Sequence, residues 1–147
     1  MKRTLVIIVI FFFQLSHSQV SSADEIIKNF FTEYSRNPSK AVEKIYQTNM
    51  WTMRLTDGIE EMKNEVNKFT VEYIGKYYGN ELIVKKQLSD SFILYSYMLK
   101  YDRQPIRFIF KLYKPNDKWI LFSLKIDDSL DDEIEQAAKI YNLSLDN

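Results

Sequence analysis

The sequence predicts an α+β fold: N-terminal helices packed on a curved, cone-like four-stranded antiparallel meander, followed by a short C-terminal helix. Three observations carry this expectation. Between Glu81 and Asp127, four runs rich in β-branched and aromatic residues (ELIVKKQL, SFILYSYMLKYD, QPIRFIFKLY and DKWILFSLKID) are separated only by short polar corners, as consecutive antiparallel strands are. Upstream, apolar residues recur at steps of three and four, the period of a helix buried along one stripe. Downstream, Ser129-Leu130-Asp131-Asp132 places acids in the first turn of a last helix, where they favour its dipole.

The chain opens with MKR, continues TLVIIVIFFF and then reads QLSHSQ. A basic start, an apolar run and small residues at Ser16 and Ser18 make residues 1–18 a signal peptide, cut after Ser18. The apolar run is about half of the roughly 20 residues that a membrane-spanning helix needs, so no stable membrane anchor is expected. Residues 19–147 then form a single α+β domain of about 130 residues, large enough to bury a core without disulfides. Ser22-Ala23-Asp24-Glu25 reads as a capping box, and Ile26, Ile27, Phe30, Phe31 and Tyr34 form the stripe of a first helix ending near Arg36. Pro38-Ser39 opens a second helix with Ala41, Val42, Ile45 and Tyr46 on one side. A third and longest helix starts at Asp57, buries Ile59, Met62, Val66, Phe69 and Tyr73, is prolonged by Tyr77 and stops at Gly79-Asn80.

Side chains alternate faces along a strand, so the turns between strands fix what each face carries. Tight corners pair Tyr101 with Ile106, Leu99 with Phe108, Tyr97 with Phe110 and Tyr95 with Leu112. They also pair Leu112 with Ile120, Phe110 with Phe122, Phe108 with Leu124 and Ile106 with Ile126. Leu82, Val84, Lys86 and Leu88 join this inner face from the first strand. Tyr95, Tyr97 and Tyr101 either fill the core or, with Lys86 and Tyr73, line a pocket, because a buried phenol needs a partner for its hydroxyl. The outer face collects Phe92, Leu94, Met98, Ile109, Tyr113, Trp119 and Leu121, a candidate interface. Contiguous apolar residues of this size are seldom left bare. Their cover is either the C-terminal helix, through Ile134, Ala138 and Tyr141, or a second copy; a homodimer is expected.

The sole histidine, His17, lies in the signal peptide, and there is no cysteine. Ser-His-Asp and Cys-His chemistry, thiolate redox chemistry and the usual zinc, copper or haem ligands are therefore excluded from the mature chain. The three glycines form no phosphate loop. Asp127, Asp128, Asp131 and Asp132 cluster at a helix start, where capping rather than a metal explains them. No metal and no cofactor is expected. Of 20 basic residues the signal takes Lys2 and Arg3, leaving a net charge of about −2 against 20 acids, which gives no footing for nucleic acid. The mature chain is expected to be secreted or periplasmic.

Helices followed by a long-stranded meander, with a last strand reading Asp117-Lys118-Trp119-Ile120-Leu121-Phe122-Ser123-Leu124-Lys125-Ile126-Asp127, resemble the nuclear transport factor two-like (cystatin-like) superfamily over about residues 22 to 128. The resemblance implies a sheet curled around a long helix, a pocket between them and frequent dimers through the outer face. Its enzymes place Asp, His or Tyr in that pocket; here no histidine and no inward carboxylate matches, so small exported members without assigned activity are the nearer likeness. The expected function is an exported noncatalytic domain that binds a small apolar ligand or a protein partner. Two alternatives stand beside it. One is a small acid–base enzyme of the isomerase or dehydratase type, with Tyr95 or Tyr97 as proton donor; the other is a structural or assembly protein acting through the outer face.

Overall fold

A computed structural model describes residues 21–144; the expected signal peptide and its cleavage site lie outside them. Helices α1 (Ala23–Tyr34) and α2 (Pro38–Tyr46) are followed by a 3-10 turn (Thr52–Arg54), α3 (Thr56–Asn67) and the single turn α4 (Val71–Ile74). Strands β1 (Tyr77–Ser89), β2 (Phe92–Tyr101), β3 (Ile106–Tyr113) and β4 (Ile120–Asp127) form one antiparallel sheet in sequence order, and α5 (Leu130–Ser144) ends the described chain. The fold is α+β, with the layout that the strand runs and helical stripes predict.

Local chemistry explains the helix starts. The Ser22 hydroxyl accepts the Glu25 amide at 3.1 Å, and Asn37 Oδ1 accepts that of Lys40 at 2.9 Å, with Pro38 at the first helical position. The third helix departs from expectation. Instead of one helix to Tyr77, α3 ends at Asn67, and Thr70 caps the separate turn α4 by accepting the Tyr73 amide at 3.3 Å. A threonine side chain that satisfies a backbone N–H competes with helix continuation. The left-handed stop is Gly75, at φ 88°, while Gly79 lies inside β1. Only glycine fits at 75, because a Cβ there would fall 2.4 Å from that of Asp102. The same carboxylate accepts the Lys76 amide and, at 2.8 Å, the Tyr78 hydroxyl, so it fastens the entrance of β1 to the β2–β3 corner.

The strand registers differ from the tight-corner pairing. Tyr97 pairs with Phe108 rather than Phe110, a slip of two residues that keeps every side chain on its face. Bulges, which insert one residue and reverse the faces beyond it, do change faces. In β1 an irregularity between Leu82 and Val84 turns Lys85 toward Tyr95 and sends Val84 and Lys86 to the outer side, opposite Ser96 and Leu94. In β4 an irregularity beside Lys111 and Leu112 leaves Phe122 as the extra residue, so Leu121 is fully buried and Phe122 is 56% exposed. Leu121 and Val84 are thus on the faces opposite to those expected.

The core lies between α1 and the inner sheet face. Phe30 packs on Phe110 with ring centres 4.9 Å apart, Phe31 on Tyr97 at 4.7 Å, and Tyr34 on Phe108 at 5.4 Å. Ala41, Val42 and Ile45 of α2 and Val66 of α3 close the other side. The helix embraced by the sheet is therefore α1 and not the third helix. Behind α2, the buried Asn49 donates to the Leu121 carbonyl at 2.7 Å, and the Thr48 hydroxyl accepts the Leu121 amide at 2.9 Å. These two side chains occupy the free edge of β4 as a neighbouring strand would.

Candidate functional site

On the inner face the three strand tyrosines act as core. Tyr95 is 1% exposed, and its hydroxyl emerges at the rim to donate to Asp24 at 2.8 Å. Lys85 donates to the same carboxylate at 2.7 and 2.8 Å. The Lys85 hydrogen bond, overcoming partial burial and helped by Tyr95, holds Asp24 below the usual carboxylate range. Burial, then the hydrogen bond to Asp24, pushes the Tyr95 phenol well above its ordinary value. Tyr101 shares a 2.8 Å hydrogen bond with the Tyr34 hydroxyl, and burial raises its pKa to about 12. Tyr97 is half-buried against Phe31 and borders a shallow recess of about 410 Å³ with Asp24, Lys28 and Asn80.

The other two candidates do not join them. Lys86 lies on the outer face, displaced by the bulge in β1. Tyr73 is 60% exposed and lines a separate cleft of about 370 Å³ with Phe69, Ile126 and Asp127. The space expected between sheet and helix is filled by the α1 aromatics, so no pocket containing all five candidates forms.

A larger cavity lies on the other side of α1. A groove of about 620 Å³ separates α1 from α2 and is closed at one end by the β3–β4 hairpin. Ile26, Phe30 and Ile45 form its floor, and Trp119 and Ile120 form one wall. Asn29, Glu33 and Lys44 stand at its rim, where Lys44 donates to Glu33 across the two helices. That bond depresses the Glu33 pKa. Lys114 Nζ sits 5.2 Å from the centre of the Trp119 ring. Sequence periodicity misses this site because Asn29, Glu33 and Lys44 occupy positions that read as a solvated helix face. Trp119, expected on the outer face, packs against the core and lines the groove instead.

Of the expected outer-face residues, Phe92, Leu94, Met98 and Ile109 are half-buried, and Tyr113 is 40% exposed. Phe122 joins them, its ring 5.5 Å from that of Phe92. At the opposite end of this face Arg107 donates to Asp127 at 2.8 Å and pairs with Glu133 of α5, while Lys125 lies 3.1 Å from the second Asp127 oxygen. Beyond that contact α5 does not cover the face: Ile134 is 71% exposed and every residue from Asp131 to Tyr141 is exposed.

Among the described residues no three or more His, Cys, Asp or Glu side chains group as metal ligands, and no helix is long and apolar enough to cross a membrane. No family model, curated protein or solved structure matches the chain.

The Asp127 cluster makes stability depend on pH. Burial works against its charge, but hydrogen bonds from Arg107 and the Ser129 amide and the nearby Lys125 ammonium outweigh it, so the folded-state pKa lies below the unfolded value. A depressed carboxylate stabilises fully above its unfolded pKa, about 3.9, and the contribution is lost as pH falls through the folded pKa. Urea unfolding across pH 7 to 3 should show stability falling below about pH 4. Asp127→Asn should lower neutral-pH stability by about 1–3 kcal/mol and make that fall shallower. An unchanged pH profile in the variant would remove Asp127 from the account.

Proposed function

We propose that this chain is an exported, noncatalytic binding domain of the nuclear transport factor two-like type, whose ligand occupies the groove between α1, α2 and the β3–β4 hairpin. The observation that carries the reading is the composition of that groove: an apolar floor at Phe30 and Ile45, an aromatic wall at Trp119 and a charged rim at Glu33 and Lys44. Apolar pockets with a few placed polar groups are the usual form of small-molecule sites. The ligand class is a small amphipathic molecule with its apolar part toward Trp119 and Ile120 and its polar part toward Asn29, Glu33 and Lys44.

The acid–base alternative has less support. Tyr95 is already the donor to Asp24, and its raised pKa makes it a poorer acid than a free phenol. Lys85 keeps Asp24 ionised, which suits a fixed ion pair more than a proton shuttle. A second reading, homodimerisation through the outer face, is favoured by Phe122 and Tyr113, large apolar groups left exposed beside Phe92.

Two measurements test the proposal. Asn29 is exposed at the rim, so Asn29→Trp should fill the groove without disturbing the core. In a thermal-shift screen of amphipathic small molecules, wild type should yield ligands whose stabilisation Asn29→Trp abolishes and Tyr97→Phe leaves intact. Ligands indifferent to Asn29→Trp, or none at all, would overturn the groove assignment. For export, the intact mass of protein from its native host should correspond to a chain beginning near Gln19; a retained Met1 would contradict it.

A further inference from the structure

The charge presented at the mouth of the groove between α1, α2 and the β3–β4 hairpin is positive. Glu33 is the one acid among the described residues that line it, against Lys44 and Lys118. The Glu33 side chain is 17% exposed and accepts from the Lys44 ammonium, whose own side chain is 53% exposed. An ammonium has three N–H donors, so with one serving Glu33 the other two are left for a ligand. Arg36 and Lys40 add their charge around the same carboxylate. Neither their side chains nor that of Lys118 has an ion pair or hydrogen bond among the described residues.

The aromatic wall points the same way. Lys114 Nζ stands 5.2 Å from the centre of the Trp119 ring, so the π electrons of that ring already serve a cation of the chain itself. A cationic ligand laid on Trp119 would meet the Lys114 ammonium across the ring. An alkyl chain meets no such opposition, and Phe30, Ile45 and Ile120 offer it apolar surface along the groove.

We infer that the groove takes a single-chain amphipathic anion, its carboxylate or phosphate held by Lys44 and Asn29 at the rim and its alkyl chain laid over Phe30 and Ile45 toward Trp119. This rests on the groove reading and names the class of its ligand. A carboxylate and a phosphate monoester share the required chemistry, since both bring acceptor oxygens to the free Lys44 donors. Glu33, accepting the remaining donor, holds the ammonium in place between the two helices.

The chain has two tryptophans, and Trp51 is 69% exposed, so Trp51→Phe leaves Trp119 as the sole tryptophan, in the groove, without touching the core. This protein is titrated by fluorescence with decanoate, decyl phosphate, decanol and decyltrimethylammonium, which share a chain and differ in headgroup. The tighter of the two anions should bind about fivefold or more tighter than decanol, and the cation should bind weakest; whichever anion is tighter assigns the headgroup. Lys44→Gln should erase the anion's advantage, leave decanol unchanged and, by freeing Glu33, strengthen the cation. Added salt should shrink the same advantage, and this measurement decides should Lys44→Gln fail to fold. Equal Kd values for all four probes, or a tightest cation, would overturn the anion assignment and leave the groove reading in place. An anion advantage that survives both Lys44→Gln and high salt would also overturn it. No binding by any probe, or binding indifferent to Asn29→Trp, would overturn the groove reading as well.

Discussion

The aromatic contact between α1 and the inner sheet face is the constraint on which the rest of the molecule depends. Phe30, Phe31 and Tyr34 occupy successive positions of one helical stripe and meet Phe108, Phe110 and Tyr97, which stand on adjacent strands. Side chains of this size bury about 150–250 Å² each, worth several kcal/mol apiece at about 25 cal/mol per Å². Once α1 is held there its first turn reaches the sheet rim, and Asp24 meets Lys85 and the Tyr95 hydroxyl. Its opposite side faces α2, so the groove is a consequence of where the core ends. The two surfaces of one helix have divided the work between stability and a candidate ligand site.

Bulges decide which residues reach those surfaces. The extra residue Phe122 sends Leu121 into the core and leaves its own ring on the outer face. The irregularities in β1 have a second effect. Long edge strands invite pairing with other chains, and bulges and lysines are the common protections. β1 carries three irregularities as well as Lys85 and Lys86, while β4 is blocked at Leu121 by Thr48 and Asn49. Association through the strand edges is disfavoured at both sides of the sheet.

Much of the architecture is legible in the sequence because it depends on periodicity. Alternation in β2 and β3 survives a two-residue slip, so the inward set Tyr95, Tyr97, Phe108 and Phe110 is readable although the pairing is not. The stripes of α1 and α2 are equally plain. Bulges have no such signal: nothing in ILFSLK marks Phe122 as the inserted residue, and the face of Leu121 cannot be read without it. The break at Thr70 was hidden by a continuing three-four pattern through Phe69 and Tyr73. The groove was the least legible feature, since its rim consists of polar helix positions and its wall depends on the displaced end of β4.

The same contact separates a filled core from an open cone, and truncation of its central ring tests this most directly. Phe30 is 3% exposed and touches both β3 phenylalanines. If the inner face is close-packed core, Phe30→Ala should lose about 3–5 kcal/mol in urea unfolding with an unchanged m-value. A loss below about 1 kcal/mol would mean that the ring is not close-packed against the β3 phenylalanines, and the account of a filled inner face would be wrong.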